Sequence, residues 1–238
     1  MKKLIQKLFN LFGYSLIKEK NFQKLYRTLD KSIKNLIISK NPLIFDVGAH
    51  TGETITRFRR IYPNCEIHSF EPQQRSFEKL NQFNNSNTKI NNFALGEKRE
   101  IKNFYIHSND STSSFYKFSS ENINEKNNYI EKVKIETLDE YVRQNQIDFI
   151  DILKIDVQGY EDQVLKGGIN TIKNKIKIIE LEIIFIDYYE KKTCFSDIEN
   201  ILKPLDFELH TISSPVLNDA TDQLKWLDAI YISKKFFK

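Results

Sequence analysis

Short apolar runs that end in turn signals recur along the chain and alternate with segments of helical period. Such runs, bounded by glycine or proline, are typical of strands buried on both faces. They are "LIFDVG", "EIHSFEP", "TKINNFALG", "FIDILKIDVQG" and "IKIIELEII". The segments "TGETITRFRRIY" and "QQRSFEKLNQF", which follow the first two runs, have helical spacing. This β-α-β order predicts an α/β fold with a parallel sheet and right-handed crossovers.

Capping patterns and helix-breaking residues predict where the other elements begin and end. Residues 21–40 predict a helix that ends ahead of Pro42, because proline disfavours a helical residue before it. Two segments begin with capping-box spacing and predict helices: "TLDEYVRQ", with Thr137 and Glu140, and "SDIENILK", with Ser196 and Glu199. "YEDQVLKGG" predicts a helix that ends at glycine. The last segments, "FELHTIS" and "LDAIYIS", predict two strands that pair at the sheet edge.

Residues 97–136 interrupt this alternation and are rich in Asn, Ser and Lys. The segments "IKNFYIH" and "KVKIE" predict a strand pair around a loop over residues 108–128. Structureless loops of this length are either functional lids or disordered. We therefore predict a hairpin insertion whose loop is a candidate lid over an acceptor.

Length and composition predict one domain. The chain has 238 residues, enough for a full core, and we divide it into an N-terminal helical segment, residues 1–40, and an α/β domain, residues 41–238. The 36 basic residues nearly balance the 32 acidic ones, so the charge gives poor support for a nucleic-acid partner. The two cysteines form no metal-like cluster, which predicts a cytoplasmic location.

The first 20 residues have apolar side chains at helical spacing, with lysines between them. This pattern predicts an amphipathic helix that is too short and too charged to span a bilayer. The helix either packs on the domain or on a second subunit, as a dimer contact, or lies on a membrane surface as a peripheral anchor. We favour packing on protein.

Gly48 and Gly52 lie where the first strand turns into a helix. A dinucleotide site needs a third glycine in the spacing G-x-G-x-x-G, to seat a pyrophosphate on the helix N-terminus. Here the third glycine is missing, and Glu53 would repel a pyrophosphate at the helix start. Glu71 ends the second strand at the distance expected of a ribose-binding acid. Together these features favour S-adenosylmethionine as the cofactor.

A second group of carboxylates ends the next strands of the predicted sheet. Asp156 lies at the carboxyl end of the fourth strand, the edge at which doubly wound sheets bind ligands. Lys154 shares its face and pairs with it structurally or chemically. Glu180 and Glu182 end the fifth strand, and we assign both to acceptor binding. Such carboxylates hold a cation, orient a methyl donor or take a proton.

Six stretches resemble the FkbM-type S-adenosylmethionine-dependent methyltransferases: "FDVGAHTGET", "SFEPQQRSFEKLNQF", "NFALGE", "STSSF", "TLDEY" and "ILKIDVQGYEDQVLKGG". They occur in order between about residues 43 and 183. The resemblance implies a Rossmann-like class I methyltransferase fold over residues 41–238: a three-layer sandwich with a mostly parallel seven-stranded sheet and one antiparallel edge strand. It also implies O-methylation of hydroxyls on sugars, glycans or secondary metabolites.

The resemblance carries roles to individual residues. It implies cofactor contacts for the first-strand loop, the ribose acid, the residue under the adenine and the acid at the active-site edge: Asp46, Gly48, Gly52, Glu71, Ala94 and Asp156. Glu161 follows on the next helix. His50-Thr51 replaces the more usual Asn-Ile, and we expect His50 to touch the cofactor. Gln158 replaces a glutamate, so we assign no metal.

The reaction needs a base close to the acceptor hydroxyl. The candidates are Asp156 and His107, which lies at the entry of the predicted lid. Within the lid, hydroxyl and aromatic side chains suit a polyhydroxyl acceptor, and we predict that Ser113, Ser114 and Tyr116 bind it.

The sequence thus predicts an S-adenosylmethionine-dependent O-methyltransferase that acts on a hydroxyl of a sugar, a glycan or a surface-polysaccharide precursor. Two alternatives stay open. One is an NAD-binding module on the same type of sheet, against which the missing third glycine argues. The other is a non-catalytic module in a glycan-assembly complex, attached through residues 1–20.

Overall fold

A central sheet of eight strands organises the computed structural model, which describes residues 29–119, 127–213 and 215–237. In chain order the strands are β1 (Leu43–Val47), β2 (Glu66–Phe70), β3 (Thr88–Asn91), β4 (Ala94–Leu95), β5 (Glu100–His107), β6 (Asn127–Glu136), β7 (Ile150–Ile155), β8 (Ile176–Ile184), β9 (Phe207–Ile212), β10 (Val216–Leu217) and β11 (Leu224–Ser233). The helices are α1 (Leu29–Leu36), α2 (Glu53–Ile61), α3 (Gln74–Leu80), α4 (Leu138–Gln144), α5 (Glu161–Lys166), α6 (Ile169–Lys175) and α7 (Phe195–Leu202).

The sheet confirms the predicted α/β class and its parallel strands. β3, β2, β1, β7 and β8 are adjacent in this order and parallel. β11 pairs antiparallel with β8, and both β9 and β10 pair antiparallel with β11. The predicted pairing of the last two long strands is therefore present. The prediction of seven strands with an antiparallel strand at the edge was wrong in detail: β10 adds a strand, and β9 and β10 flank the antiparallel β11.

Helices cover both faces of the sheet because successive strand residues point to opposite sides. On one face, strand residues such as Ile44 and Ile152 pack with Ile55 and Phe58 of α2. The opposite face packs against helices α4 to α7 through residues such as Val142, Val164, Ile172 and Ile198. The result is the expected three-layer sandwich, with its core divided between the two faces.

The first described helix belongs to this core. Leu29, Ile33 and Ile37 are buried in the same cluster as β1 and α2, so α1 packs on the domain. The predicted helix over residues 21–40 is described only over this part, and it ends at Leu36. The amphipathic segment of residues 1–20 lies outside the described residues, and its partner stays a prediction. Within the described ranges, each helix is too short or too polar to cross a membrane.

The insertion forms a second sheet, with the strand order β4-β6-β5. The predicted third strand over "TKINNFALG" is divided: β3 ends at Asn91, and Ala94–Leu95 joins β6 instead. The asparagines explain the break, because Asn91 donates to the carbonyl of Ser69 and Asn92 donates to that of Glu71, each at 3.0 Å. These bonds satisfy the end of β2 while the chain leaves the main sheet.

Three local predictions have different outcomes. Thr137 caps α4 as predicted, since its hydroxyl accepts from the N–H of Glu140 at 3.2 Å. The cap of α7 was placed two residues late: Cys194 is the cap, and its N–H donates to Asp197 at 2.9 Å. The loop after β5 was expected to lack structure, yet a 3-10 turn spans Asp110–Thr112.

Candidate active site

A cleft of ≈ 530 Å³ opens at the carboxyl ends of β1, β2 and β7 and continues beneath β4, β5 and the 3-10 turn. Its polar wall includes His50, Glu71, Asp110, Ser113, Asp156 and Gln158, and its apolar wall includes Val47, Phe70, Ala94, Leu95, Phe104 and Phe115. Five of the predicted cofactor-binding residues are therefore brought together here: Gly48, His50, Glu71, Ala94 and Asp156. Parallel strands that end at one edge explain why residues so far apart in the chain meet.

Gly48 and Gly52 are each needed for a different structural reason. Gly48 lines the cleft with φ +84°, and a Cβ there would lie 1.8 Å from the carbonyl oxygen of Asp156. At Gly52, with φ +101°, an added Cβ would lie 2.5 Å from the ring of Phe83. Gly52 was predicted to contact the cofactor, but it packs against Phe83 and is absent from the residues that line the cleft. The two glycines thus mark two places where the backbone lies close to another part of the chain, and of the two only Gly48 borders the cleft.

Glu71 is buried, and main-chain donors hold its carboxyl group. Oε2 accepts from the N–H of His50 and Oε1 from the N–H of Gln73, both at 2.8 Å. Burial raises the pKa of Glu71 to about 8, although these N–H groups act in the opposite direction. Each carboxylate oxygen can accept more than one hydrogen bond, so two ribose hydroxyls can still be bound. The side chain fits its predicted role.

His50 connects the glycine loop to the 3-10 turn of Asp110–Thr112. Its backbone has φ +46°, and its Nε2 lies 3.1 Å from Oδ1 of Asp110 in the 3-10 turn. Lys79 lies 3.9 Å from the other oxygen of Asp110. The turn is thereby fastened across the mouth of the cleft.

A buried cluster of charges supports Asp156. Lys154 donates to Oδ2 of Asp156 at 3.1 Å, and its ammonium lies 3.9 Å from Asp46. Burial acts to raise the pKa of Asp156, but Lys154 and a hydrogen bond from Gln158 hold it below its ordinary value. Burial raises the pKa of Asp46 to about 6 against the attraction of Lys154. Asp46 was predicted to touch the cofactor; it lies fully buried behind the cleft.

Gln158 follows β7, and its side chain makes three hydrogen bonds. Nε2 donates to Asp156 at 2.9 Å and to Glu182 at 3.0 Å, and Oε1 accepts from the hydroxyl of Tyr189 at 2.8 Å. The backbone has φ +55°, and Ser114 donates to its carbonyl at 2.7 Å. An amide can donate to two carboxyl groups at once, which a glutamate cannot do.

Glu182 borders a second cavity, of ≈ 670 Å³, beside the cleft. Burial, Asp156 and Asp228 raise the pKa of Glu182 to about 9. Ser111 and Gln158 line both cavities. Glu182 therefore lies in the wall of a cavity next to the cleft, and its assignment to acceptor binding stays a prediction.

Glu180 was predicted to bind the acceptor, and the structure places it elsewhere. Its carboxyl group is 2% exposed and accepts from Arg57 of α2 at 2.5 and 3.2 Å. Arg57 also donates to Asp30 of α1 at 2.6 Å. Glu180 and Glu182 are two residues apart and share a face of β8. Glu180 lies further from the carboxyl end of the strand, where this bridge ties the helical layer to β8.

The predicted lid residues divide into two groups. Ser113 lines the cleft, and its hydroxyl accepts from the N–H of His107 at 3.2 Å. Ser114 is buried, and it binds main chain rather than a cavity. Tyr116 packs against Tyr160, with ring centroids 5.6 Å apart, outside both cavities. The assignments of Ser114 and Tyr116 to acceptor binding are therefore replaced by packing roles.

His107 was a candidate base, and its surroundings favour a structural role. The imidazole is 1% exposed and stacks on Phe118 with ring centroids 3.6 Å apart. Nδ1 lies 2.7 Å from the carbonyl oxygen of Thr112. The side chain belongs to the packed base of the lid and borders neither of the two cavities.

Glu161 stabilises the loop after β7 through hydrogen bonds to its main chain. Its Oε1 accepts from the N–H groups of Gly159 at 3.0 Å and Val157 at 3.4 Å, and burial raises its pKa to about 7. Among the described residues, His, Cys, Asp and Glu side chains form no group suited to a metal ion. Carboxyl groups, the imidazole of His50, the hydroxyl of Ser113 and the amide of Gln158 form much of the polar wall of the cleft.

Sequence reasoning missed Asp110, Tyr189 and Trp226. Asp110 fastens the turn to His50, Tyr189 holds Gln158, and Trp226 lines the second cavity. No motif spacing connects these positions. The chain has one tryptophan, a residue type enriched at binding surfaces, and that was the available signal.

The sheet and the cleft at its carboxyl edge define a Rossmann-like methyltransferase fold. The crystal structure of methyltransferase FkbM from Methylobacillus flagellatus KT is similar, with a TM-score of 0.52 and 15% identity over 82% of this chain. This chain spans 44% of that one. A curated relative, the 2-O-methyltransferase NoeI of Sinorhizobium fredii (strain NBRC 101917 / NGR234), is 24% identical over 198 residues, or 78% of this chain and 79% of that protein.

The family model described as the methyltransferase FkbM domain matches residues 46–209, more than half of the chain. The chain therefore belongs to the FkbM methyltransferase family. It is an S-adenosylmethionine-dependent methyltransferase. The predicted family, fold class and enzyme class are confirmed.

Proposed function

We propose that the protein transfers a methyl group from S-adenosylmethionine to a hydroxyl of a sugar, a glycan or a surface-polysaccharide precursor. The observation that carries the proposal is the pairing of two cavities across Gln158 and Ser111. One has the glycine loop and the buried acid Glu71, and the other has a carboxyl group between aromatic rings. The name of the relative NoeI, a 2-O-methyltransferase, agrees with an oxygen acceptor.

In this proposal the cleft holds the cofactor through Glu71 and the main chain at Gly48. The apolar wall around Ala94 and Phe70 suits an adenine ring. S-adenosylmethionine, when bound, supplies a methyl group on a positively charged sulfur. Asp156 stays ionised beside Lys154, so it provides a fixed negative charge at the edge of the cleft.

Asp156 is poorly suited to be the base, because its low pKa makes it a weak proton acceptor. We assign this role to Glu182, which borders the second cavity and is oriented by Gln158 at 3.0 Å. Its raised pKa leaves a small ionised fraction at neutral pH, and that fraction is a strong proton acceptor. Glu182 would take the proton of the acceptor hydroxyl as that hydroxyl receives the methyl group that S-adenosylmethionine would supply. Close alignment of the reactants contributes about 7–11 kcal/mol in favourable systems.

Calorimetry with S-adenosylhomocysteine tests the cofactor assignment. We expect saturable binding, at least about tenfold weaker in Glu71→Ala, because hydrogen bonds to a carboxylate are lost. Glu208→Ala, an exposed acid on β9, is the matched control and should bind as the wild type does. Absence of binding at millimolar concentration would refute the proposal, and binding of NADH instead would favour the NAD-binding alternative.

Turnover separates an enzyme from a non-catalytic module. Purified protein with labelled S-adenosylmethionine and a bacterial glycan extract should yield labelled, acid-stable methyl ethers of sugars. Glu182→Gln should lose this activity while it still binds S-adenosylhomocysteine. If Glu182→Gln keeps full turnover, the base assignment is wrong.

A further inference from the structure

The second cavity combines aromatic rings with a carboxyl group beside the cofactor cleft. Trp226 of β11 and Tyr188 provide the rings, Ile184 and Glu182 come from β8, and Thr112 comes from the 3-10 turn. Ser111 and Gln158 form the boundary shared with the cleft. A molecule in this cavity would therefore lie directly next to a ligand in the cleft.

We propose that this cavity is the acceptor site and that it selects an uncharged pyranose ring, with Trp226 and Glu182 as the residues that determine specificity. The inference rests on the proposed function, since it names the substrate class of that same site. It adds a location for the acceptor and a preference for neutral over anionic sugars.

The rings suit the C–H face of a pyranose. Trp226 is partly buried, and Lys225 covers its ring with the ammonium 4.7 Å from the centroid. The ring is thus anchored on one side, and an aromatic side chain offers a large apolar area at little cost in conformational entropy. Tyr188 extends this surface next to Tyr189, with ring centroids 5.8 Å apart.

The carboxyl group suits the hydroxyls of the same ring. Oε2 of Glu182 accepts from Gln158 at 3.0 Å, and a carboxyl group has acceptor positions beyond that one bond. The amide of Gln158 is itself held by Tyr189 at 2.8 Å. Glu182 is therefore presented in a fixed orientation, as a specific contact requires.

The charges around the cavity disfavour an anionic acceptor. The residues found to line it in the described part of the chain include no lysine, arginine or histidine. Asp228 is paired with Glu182 across β11 and β8, and Asp156 lies on the other side of Gln158. A phosphate group placed here would meet the carboxyl group of Glu182, with two more carboxyl groups behind the wall, and no cation of the cavity wall.

The single tryptophan of the chain supplies a readout that does not depend on turnover. Protein loaded with S-adenosylhomocysteine is titrated with methyl pyranosides of glucose, galactose, mannose, fucose and rhamnose, and with glucose 6-phosphate and mannose 6-phosphate, while the emission of Trp226 is followed. We expect a saturable change with at least one neutral glycoside and at least about tenfold weaker binding of its phosphate. Glu182→Gln should weaken the neutral glycoside about tenfold, and Glu208→Gln, the surface control, should not.

Two outcomes overturn the inference. Either none of the neutral glycosides changes the emission of Trp226, or the sugar phosphates bind as tightly as the neutral glycosides. Retention of neutral binding in Glu182→Gln removes Glu182 as a determinant. Failure of the proposed function is seen separately, as loss of calorimetric binding of S-adenosylhomocysteine. Trp226→Ala should keep that binding while calorimetry shows loss of glycoside binding, which also excludes a misfolded variant.

Discussion

The cofactor cleft and the acceptor cavity share a wall, yet they are built in different ways. In the cleft, main-chain groups do most of the positioning: the N–H groups of His50 and Gln73 hold Glu71, and Gly48 fits against the carbonyl of Asp156. In the acceptor cavity the polar group is held by side chains, since the amide of Gln158 orients Glu182. A site made of main chain tolerates side-chain changes around it, whereas a site made of side chains changes with each substitution. We infer that the first suits a constant cofactor and the second a variable acceptor.

The largest effect is expected at the main chain of the cleft. Gly48→Ala combines a left-handed backbone, φ +84°, with a Cβ that would lie 1.8 Å from the carbonyl of Asp156. Strain and overlap together should destabilise the fold by about 3–5 kcal/mol and abolish binding of S-adenosylhomocysteine. Chemical denaturation and calorimetry measure the two effects.

Gly52→Ala is the matched control for this change. Its backbone is also left-handed, but the added Cβ meets the ring of Phe83, which can move. We expect a loss of about 1–2 kcal/mol with cofactor binding retained. Loss of binding in both variants would show that Gly52 serves the cleft as well.

The pH dependence of cofactor binding examines Glu71. Its pKa is raised to about 8, so the acid is mostly protonated at pH 7 in the free protein. Ribose hydroxyls donate to the carboxylate and favour its ionised form, so binding should release a proton below pH 8. Affinity for S-adenosylhomocysteine should therefore rise by about 1–3 kcal/mol between pH 6 and 8 and level off above.

Calorimetry in buffers of different ionisation enthalpy measures that proton. Glu71→Gln should flatten the profile, because its amide does not titrate. The same pKa has a consequence for folding: the native state binds more protons than the unfolded chain between the ordinary value of 4.5 and about 8. The contribution of Glu71 to stability is complete below that window and is lost as the pH rises through it.

Replacement of Gln158 by glutamate tests the side-chain wall. Gln158→Glu removes the amide that donates to Asp156 and Glu182 and adds a third carboxyl group between them. We expect a destabilisation of about 1–3 kcal/mol that grows with pH as the carboxyl groups ionise. Gln146→Glu, an exposed position with φ +53°, controls for the backbone and should change little. Thermal denaturation of both variants at pH 6 and pH 9 measures this difference.

Much of the cleft could be predicted from the sequence because its residues end strands. Asp156 and Glu71 follow apolar runs directly, and parallel strands bring such positions to one edge. The same logic was insufficient for Glu180. It shares a face of β8 with Glu182, but it lies two residues further from the carboxyl end of the strand, where Arg57 of α2 binds its carboxyl group. The spacing of the glycines was recognised, but its cause at Gly52, the ring of Phe83, lies in a distant element.

The acceptor cavity was largely beyond the reach of the sequence. Trp226, Glu182 and Thr112 come from different parts of the chain and meet only through tertiary packing. His107 and Tyr116 appeared chemically suitable, yet the lid buries apolar surface and uses both side chains to do so. A loop with few periodic positions offers no rule for which side chains point inward.

The smallest effect is expected where the lid meets the glycine loop. Asp110 lies 3.1 Å from His50 and is 27% exposed, and the hydrogen bond to His50 holds the pKa of Asp110 below its ordinary value despite partial burial. Partly exposed pairs contribute about 0.2–1 kcal/mol, so Asp110→Ala should accelerate release of a fluorescent S-adenosylhomocysteine analogue about two- to fivefold in stopped-flow displacement. Lys79→Gln removes only the more distant ion pair, 3.9 Å from Asp110, and should have a weaker effect. Equal release rates in the wild type and in Asp110→Ala would mean that the turn does not retain the cofactor, and that the cleft depends on its main chain alone.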